Sequence, residues 1–140
     1  MPGSAVEQIS WAVLRQLQKA WNGADGTAFG APFTDDADFV DIRGEYHQGR
    51  PGIAAGHQQI FDSIYKGGTV RLRLLRARYV AHNAVLAQAQ SQLSLPAGPF
   101  AGDHAAVFTM VLVEYDFAWH IAAFHNTPVA VQTEGIPGRG

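Results

Sequence analysis

A chain of 140 residues is the size of one ordinary domain and can bury about 68% of its unfolded surface, enough for a core without covalent staples. Hydrophobic residues make up 47% and charged residues 16%, which excludes intrinsic disorder and leaves little charged surface to cover the core, so part of the apolar surface is expected to meet a partner subunit. Ten Lys and Arg against twelve Asp and Glu give a net charge of −2, which removes the electrostatic footprint of a nucleic-acid or anionic-membrane binder. No cysteine is present, so disulfides, thiolate zinc sites, iron–sulfur clusters and a cysteine nucleophile are excluded. No basic leader opens the chain and no apolar run approaches about 18 residues, from which a soluble cytoplasmic protein is expected.

Val6, Ile9, Val13, Leu14, Leu17 and Trp21 fall at helical spacings, with Ser4 as N-cap and Glu7 completing a capping box. Asn22 to Gly26 breaks this first helix, and Asp25 is placed to cap a short second one through Ala28, Phe29 and Phe33. Residues 36–42 read as a strand in which Ala37, Phe39 and Asp41 share a face. Gly44 and Gly49 frame a turn or short hairpin around Glu45, Tyr46 and His47. Pro51 suits the first turn of a third helix ending before Gly67, with Ile53, His57, Ile60, Phe61 and Ile64 on its apolar face.

Four strand-like runs follow, near 69–81, 84–95, 104–116 and 117–127, and their short connections predict an antiparallel meander. Leu74-Leu75 interrupts the alternation and predicts a bulge that bends the sheet. The bulge is expected to divide Arg71 and Arg73 from Arg76 and Arg78, so that the four make no single stripe. Residues 105–113 are apolar on both phases, which predicts helices against one face and a second copy against the other. Residues 1–127 are read as one domain and 128–140 as a loose tail.

The segments AWNGAD at 20–25, TDDADFVDIRG at 34–44, GRPGI at 49–53 and WHIAAFHNT at 119–127 resemble the nuclear transport factor 2-like superfamily. The closing AFHNT, with GH at 56–57, resembles its SgcJ/EcaC family. This resemblance spans nearly the whole chain and implies an α+β, cone-shaped nuclear transport factor 2-like fold. Three helices would pack on a curved, mostly antiparallel sheet around an internal pocket, with homodimers formed through the sheet. It also implies an accessory role in natural-product pathways, on a hydrophobic polyketide-like molecule. Fold alone fixes no chemistry. The oxidoreductase label the family often carries finds no glycine fingerprint here, so no nicotinamide or flavin cofactor is expected.

Asp41 is the foremost candidate, since a carboxylate among apolar groups has its pKa raised toward that of a general base. The resemblance places it where the ketosteroid isomerase branch carries its catalytic aspartate, but Leu17 stands at the matching oxyanion tyrosine and residues 105–113 hold no acid to act as second donor. His57 is either a proton-transfer group in the pocket or a core histidine satisfied by a backbone carbonyl. Together Asp41 and His57 would form an acid–base pair. On the last strand Trp119, Ile121, Ala123 and His125 alternate with His120, Ala122, Phe124 and Asn126; one set faces the pocket. Trp119 is a ligand wall or core filler, His125 and Asn126 orient a polar substituent or end the strand, and Phe61 adds apolar lining. By resemblance Arg78 is a candidate partner for Asp41; the alternative is a solvated strand. Gln88, Gln90 and Gln92 are a solvated face or a polar pocket wall. The six histidines lack metal-binding spacing and no serine sits in a nucleophile elbow, so neither a metal nor a serine hydrolase is expected. Isomerisation, cyclisation or dehydration by proton movement is the expected reaction; binding without catalysis is the rival.

Overall fold

The computed structural model describes residues 3–130. Helix α1 (Ala5–Asn22) starts where Ser4 and Glu7 form the predicted capping box, and buries Val13, Leu14, Leu17 and Ala20 along one stripe. The second helix, α2 (Gly26–Gly30), is capped by the Asp25 side chain, which accepts from the Ala28 N–H. Gly26 is required there by space: a Cβ would stand 2.5 Å from the Ala54 carbonyl oxygen, so α2 lies directly against α3 (Gly49–Phe61).

Strands β1 (Phe33–Val40), β2 (Tyr46–Gln48), β3 (Thr69–Ala81), β4 (Ala84–Leu95), β5 (Gly102–Tyr115) and β6 (Ala118–Pro128) form one sheet in the order β2-β1-β6-β5-β4-β3. β1 and β6 are parallel; every other pairing is antiparallel, and β3 to β6 is the expected meander. The β5–β6 hairpin turns through Asp116 and Phe117, both at positive φ. β1 ends two residues earlier than expected, because Asp41 leaves the ladder to close the β1–β2 hairpin with its side chain. At the other end β6 runs to Pro128 and the Val129 N–H donates to the Ala105 carbonyl, so the first residues of the expected tail belong to the sheet. Residues 131–140 lie outside the described residues.

The bulge at Leu75 is present, and it acts in the opposite sense to the expectation for the arginines. Arg71, Arg73, Arg76 and Arg78 pair with Gln92, Gln90, Gln88 and Leu86, all on the outer phase of β4, whose inner residues Val85, Ala87, Ala89 and Leu93 are buried. One extra residue shifts odd positions onto the even phase. All four arginines therefore make a single outer stripe, and the three glutamines stand on that same outer face. A second bulge, at Ala122, does the same to β6: Ile121 pairs with Leu112 and Phe124 with Met110, all four buried. The two alternating sets expected on β6 are thus spliced, with Trp119 and Ile121 inward before the bulge and Phe124 and Asn126 inward after it.

One apolar core fills the space between helices and sheet, from Leu14 and Leu17 of α1 to Val85, Met110, Leu112 and Ile121. β3 is an edge strand, and α1 covers its backbone: Asn22 exchanges hydrogen bonds with both Val70 N–H and C=O, and Gln18 accepts from the Leu72 N–H. Among the described residues, no helix is long and apolar enough to cross a membrane.

Candidate functional site

Toward one end of the sheet the core is not filled. A cavity of about 460 Å³ remains there, walled by Trp21, Phe29, Phe39, Tyr65, Phe108 and Phe124, with Asp41, His57, Ser91 and Asn126 among its polar lining. Size and wall chemistry suit a largely apolar small molecule. The rings are mutually supporting: Phe124 stacks on both Phe39 and Phe108, with centroids 4.7 and 4.5 Å apart.

Asp41 reaches the cavity from the hairpin corner. Its Oδ1 accepts from the Arg43 and Glu45 N–H groups, each at 2.9 Å, and its Oδ2 lies 3.0 Å from His47 Nε2. Burial pushes its pKa up as expected, but the His47 hydrogen bond and the two backbone donors outweigh burial and hold the carboxyl below its usual value. The expected upward shift is therefore reversed. His47 Nε2 must carry the proton, since a carboxylate only accepts. Asp41, Glu45 and His47 bring ligand atoms within 4.8 Å of one another, a set able to hold a divalent cation. The Arg43 guanidinium, 3.9 Å from Asp41 and 3.7 Å from Glu45, already supplies positive charge there.

His57 comes from the apolar face of α3, buried at 7% exposure, stacked on Phe29 at 3.9 Å and edge-on to Phe39 at 4.9 Å. Its Nδ1 donates to the Ile53 carbonyl at 2.8 Å. Burial lowers its pKa to about 4, so at neutral pH the ring is uncharged and its Nε2 is a lone-pair acceptor. One nitrogen is satisfied by backbone, as in a core histidine, and the ring also lines the cavity.

Asp41 and His57 thus share the cavity, but the hydrogen-bonded partner of Asp41 is His47, which the sequence reading left in a turn. Of the other candidates, Asn126 lines the cavity and Phe61 lies one layer behind it, against Trp21 at 4.9 Å. Trp119 packs on the core beside Tyr79 and is not among the residues that line the cavity. His125 pairs with Thr109 on the outer face, and Arg78 is exposed there, so neither faces the cavity and Arg78 does not reach Asp41. The tryptophan of the cavity is Trp21, one turn beyond Leu17 on α1. Its indole N–H and the side-chain oxygen of Asn126 are buried without hydrogen-bond partners among the described residues.

A family model described as the SnoaL-like domain matches residues 11–131. The chain belongs to the SnoaL-like domain family. Solved structures share the fold. A domain of unknown function with a cystatin-like fold from Nostoc punctiforme is 31% identical, with 93% of this chain and 81% of that one covered and a TM-score of 0.79. An uncharacterised cystatin-like protein from Caulobacter vibrioides is 24% identical over 91% and 92%, at 0.80. A ketosteroid isomerase-like protein from Erwinia carotovora atroseptica shares the fold alone, at 13% identity over 92% and 100% and a TM-score of 0.76. No curated protein matches the chain. The nuclear transport factor 2-like architecture, three helices on a curved, mostly antiparallel sheet, is the one found.

Proposed function

We propose that this SnoaL-like domain binds a neutral, mainly apolar small molecule in its cavity and moves a proton within it, as an isomerase, cyclase or dehydratase does. The observation that carries this reading is that the Asp41 carboxylate and the His57 ring line the same aromatic cavity of about 460 Å³. Asp41 takes a proton from a carbon beside a carbonyl and returns it at another position, while His57 Nε2 accepts a hydrogen bond from a ligand hydroxyl. Solvent leaves Asp41 when a ligand enters, adding to the desolvation that already opposes its negative charge and strengthening it as a base. His47 holds the carboxylate in place throughout. The AFHNT block and the GH pair favour the SgcJ/EcaC subgroup and a polyketide-like intermediate as the substrate class.

A second reading, binding without turnover, is favoured by one observation: both candidate bases have lowered pKa values, which weakens them as proton acceptors. Exchange of the carbon-bound protons of a polycyclic aromatic ketone with deuterated water, followed by NMR, separates the two. The catalytic reading expects exchange in the wild type and a loss of at least about 100-fold in Asp41→Asn, with probe affinity kept. Binding without any exchange assigns the domain to sequestration.

A further inference from the structure

Beyond the end of α3 the chain turns back toward β3 through Tyr65, which the sequence reading did not single out. Backbone closes the turn: the Tyr65 N–H donates to the Ile60 carbonyl at 2.8 Å, and the Tyr65 carbonyl accepts from the Gly68 N–H at 3.0 Å. Gly68 is required by space, since a Cβ there would stand 2.6 Å from Leu95 Cδ2 and 3.1 Å from the Tyr65 carbonyl oxygen. The half-buried ring is thereby held against Val70, Leu93 and Leu95, tilted on Trp21 at 5.9 Å, and it lines the cavity. Its backbone groups are used, but among the described residues its hydroxyl has no hydrogen-bond partner. Burial raises the pKa of that hydroxyl above its ordinary value; the Arg43 guanidinium opposes the rise and the Asp41 carboxylate adds to it, so both stand close enough to act on it. At neutral pH the phenol is protonated and free to donate.

Asp41 and the Nε2 of His57 offer only lone pairs to the cavity, so a carbonyl ligand needs its donor elsewhere. The Trp21 indole N–H is enclosed by protein, and the Arg43 side chain is 61% exposed and shared between Asp41 and Glu45. Of the uncharged donors left, the hydroxyls of Tyr65 and Ser91 and the Asn126 amide, the phenol is the most acidic and gives most to an oxygen that gains charge. We infer that the Tyr65 hydroxyl is a further catalytic group, which donates a hydrogen bond to the carbonyl oxygen of a ketone whose neighbouring carbon lies at Asp41. This rests on the proton-transfer reading above and fixes which way the ligand lies, with its carbonyl toward Tyr65. In the step itself the carbon–hydrogen bond beside the carbonyl breaks and the proton goes to Asp41. The electron pair moves onto the carbonyl oxygen, and Tyr65 stabilises the resulting enolate without giving up its own proton. Return of the proton from Asp41 to carbon closes the cycle.

The test uses beta-tetralone, a bicyclic ketone with acidic carbon–hydrogen bonds, on the wild type, Tyr65→Phe, Ser91→Ala and Asp41→Asn, with circular dichroism as the check on folding. Tyr65→Phe keeps the ring and removes a hydroxyl that bonds to nothing in the fold. Two readouts are taken: deuterium exchange into the ketone, and the carbonyl stretch of the bound ketone by isotope-edited infrared spectroscopy. In the wild type the stretch is expected to fall below its value in an apolar solvent, and in Tyr65→Phe to return toward it. Exchange in Tyr65→Phe is expected to lose about 100-fold in kcat, with KM changed by less than about 3-fold. Asp41→Asn is expected to abolish exchange and keep the lowered stretch, which separates the donor from the base. Exchange in the wild type that Tyr65→Phe leaves intact overturns the inference while the proton-transfer reading stands. A stretch that is not lowered, or one that Ser91→Ala restores and Tyr65→Phe does not, overturns it as well. A lowered stretch restored by Tyr65→Phe, with no exchange in the wild type, keeps the hydrogen bond and overturns the catalytic role together with the reading beneath it; a wild type that binds no ketone overturns both.

Discussion

Burial of a neutral His57 makes the stability of the fold pH-dependent in a defined window. Its pKa falls from 6.5 in the unfolded chain to about 4 in the fold, so between these values the unfolded state binds the proton and the native state does not. Stability is therefore full above the unfolded pKa, falls as pH drops toward 4, and loses nothing further to this group below that. The whole shift corresponds to about 3 kcal/mol, and going from about pH 7.5 to about pH 5 to roughly 2 kcal/mol. The Asp41 carboxyl, also lowered, costs stability only below its ordinary 3.8, outside this window. In urea titrations with an m-value on the order of 2 kcal/mol/M, the wild-type midpoint should fall by about 1 M between those two pH values. His57→Phe, which keeps a ring against Phe29 and cannot titrate, should remove most of that difference. Equal slopes in the two proteins would show that His57 is not a buried neutral base and would refute the reasoning.

Other consequences follow from backbone and packing. Phe117 is fully exposed with φ at +61° in the β5–β6 turn, so Phe117→Gly should relieve left-handed strain and raise stability by about 1 kcal/mol in a thermal melt. Gly26→Ala should cost at least about 2 kcal/mol by the same measurement, since its Cβ would meet the Ala54 carbonyl and the backbone nitrogen of Gln58 inside contact distance. At the hairpin corner, His47→Phe should raise the Asp41 pKa, read from its carboxyl carbon shift against pH, because the hydrogen bond that opposes burial is removed.

Element types were legible because each announces itself locally: the Ser4–Glu7 box, the Asp25 cap, the Gly44 and Gly49 hairpin and the Leu75 bulge are all short-range chemistry. Asp41 lines the cavity, but from the hairpin corner and not by strand phase, since β1 ends at Val40. What the sequence concealed was the consequence of irregularity. A bulge changes the face of every residue beyond it, so the arginines joined where they were expected to part, and an unrecognised bulge at Ala122 put Trp119 and Asn126 on one face and His125 on the other. His47 was within reach of inference, because a hairpin framed by those glycines sets residue 47 opposite Phe39 and hence close to Asp41. The reversed shift of Asp41 depends on three donors converging on one carboxyl, and that is a tertiary fact which periodicity does not encode.

The most direct measurement of the account is an NMR titration of the isotope-labelled protein with a naphthol, a neutral aromatic that carries one hydroxyl. Saturable shifts at the Trp21 indole, the His57 ring and the Asn126 side-chain amide are predicted, with those of residues 107–111 on the outer face unmoved. Shifts confined to the outer face, or none at millimolar probe, would contradict a cavity open to ligands against Asp41 and His57.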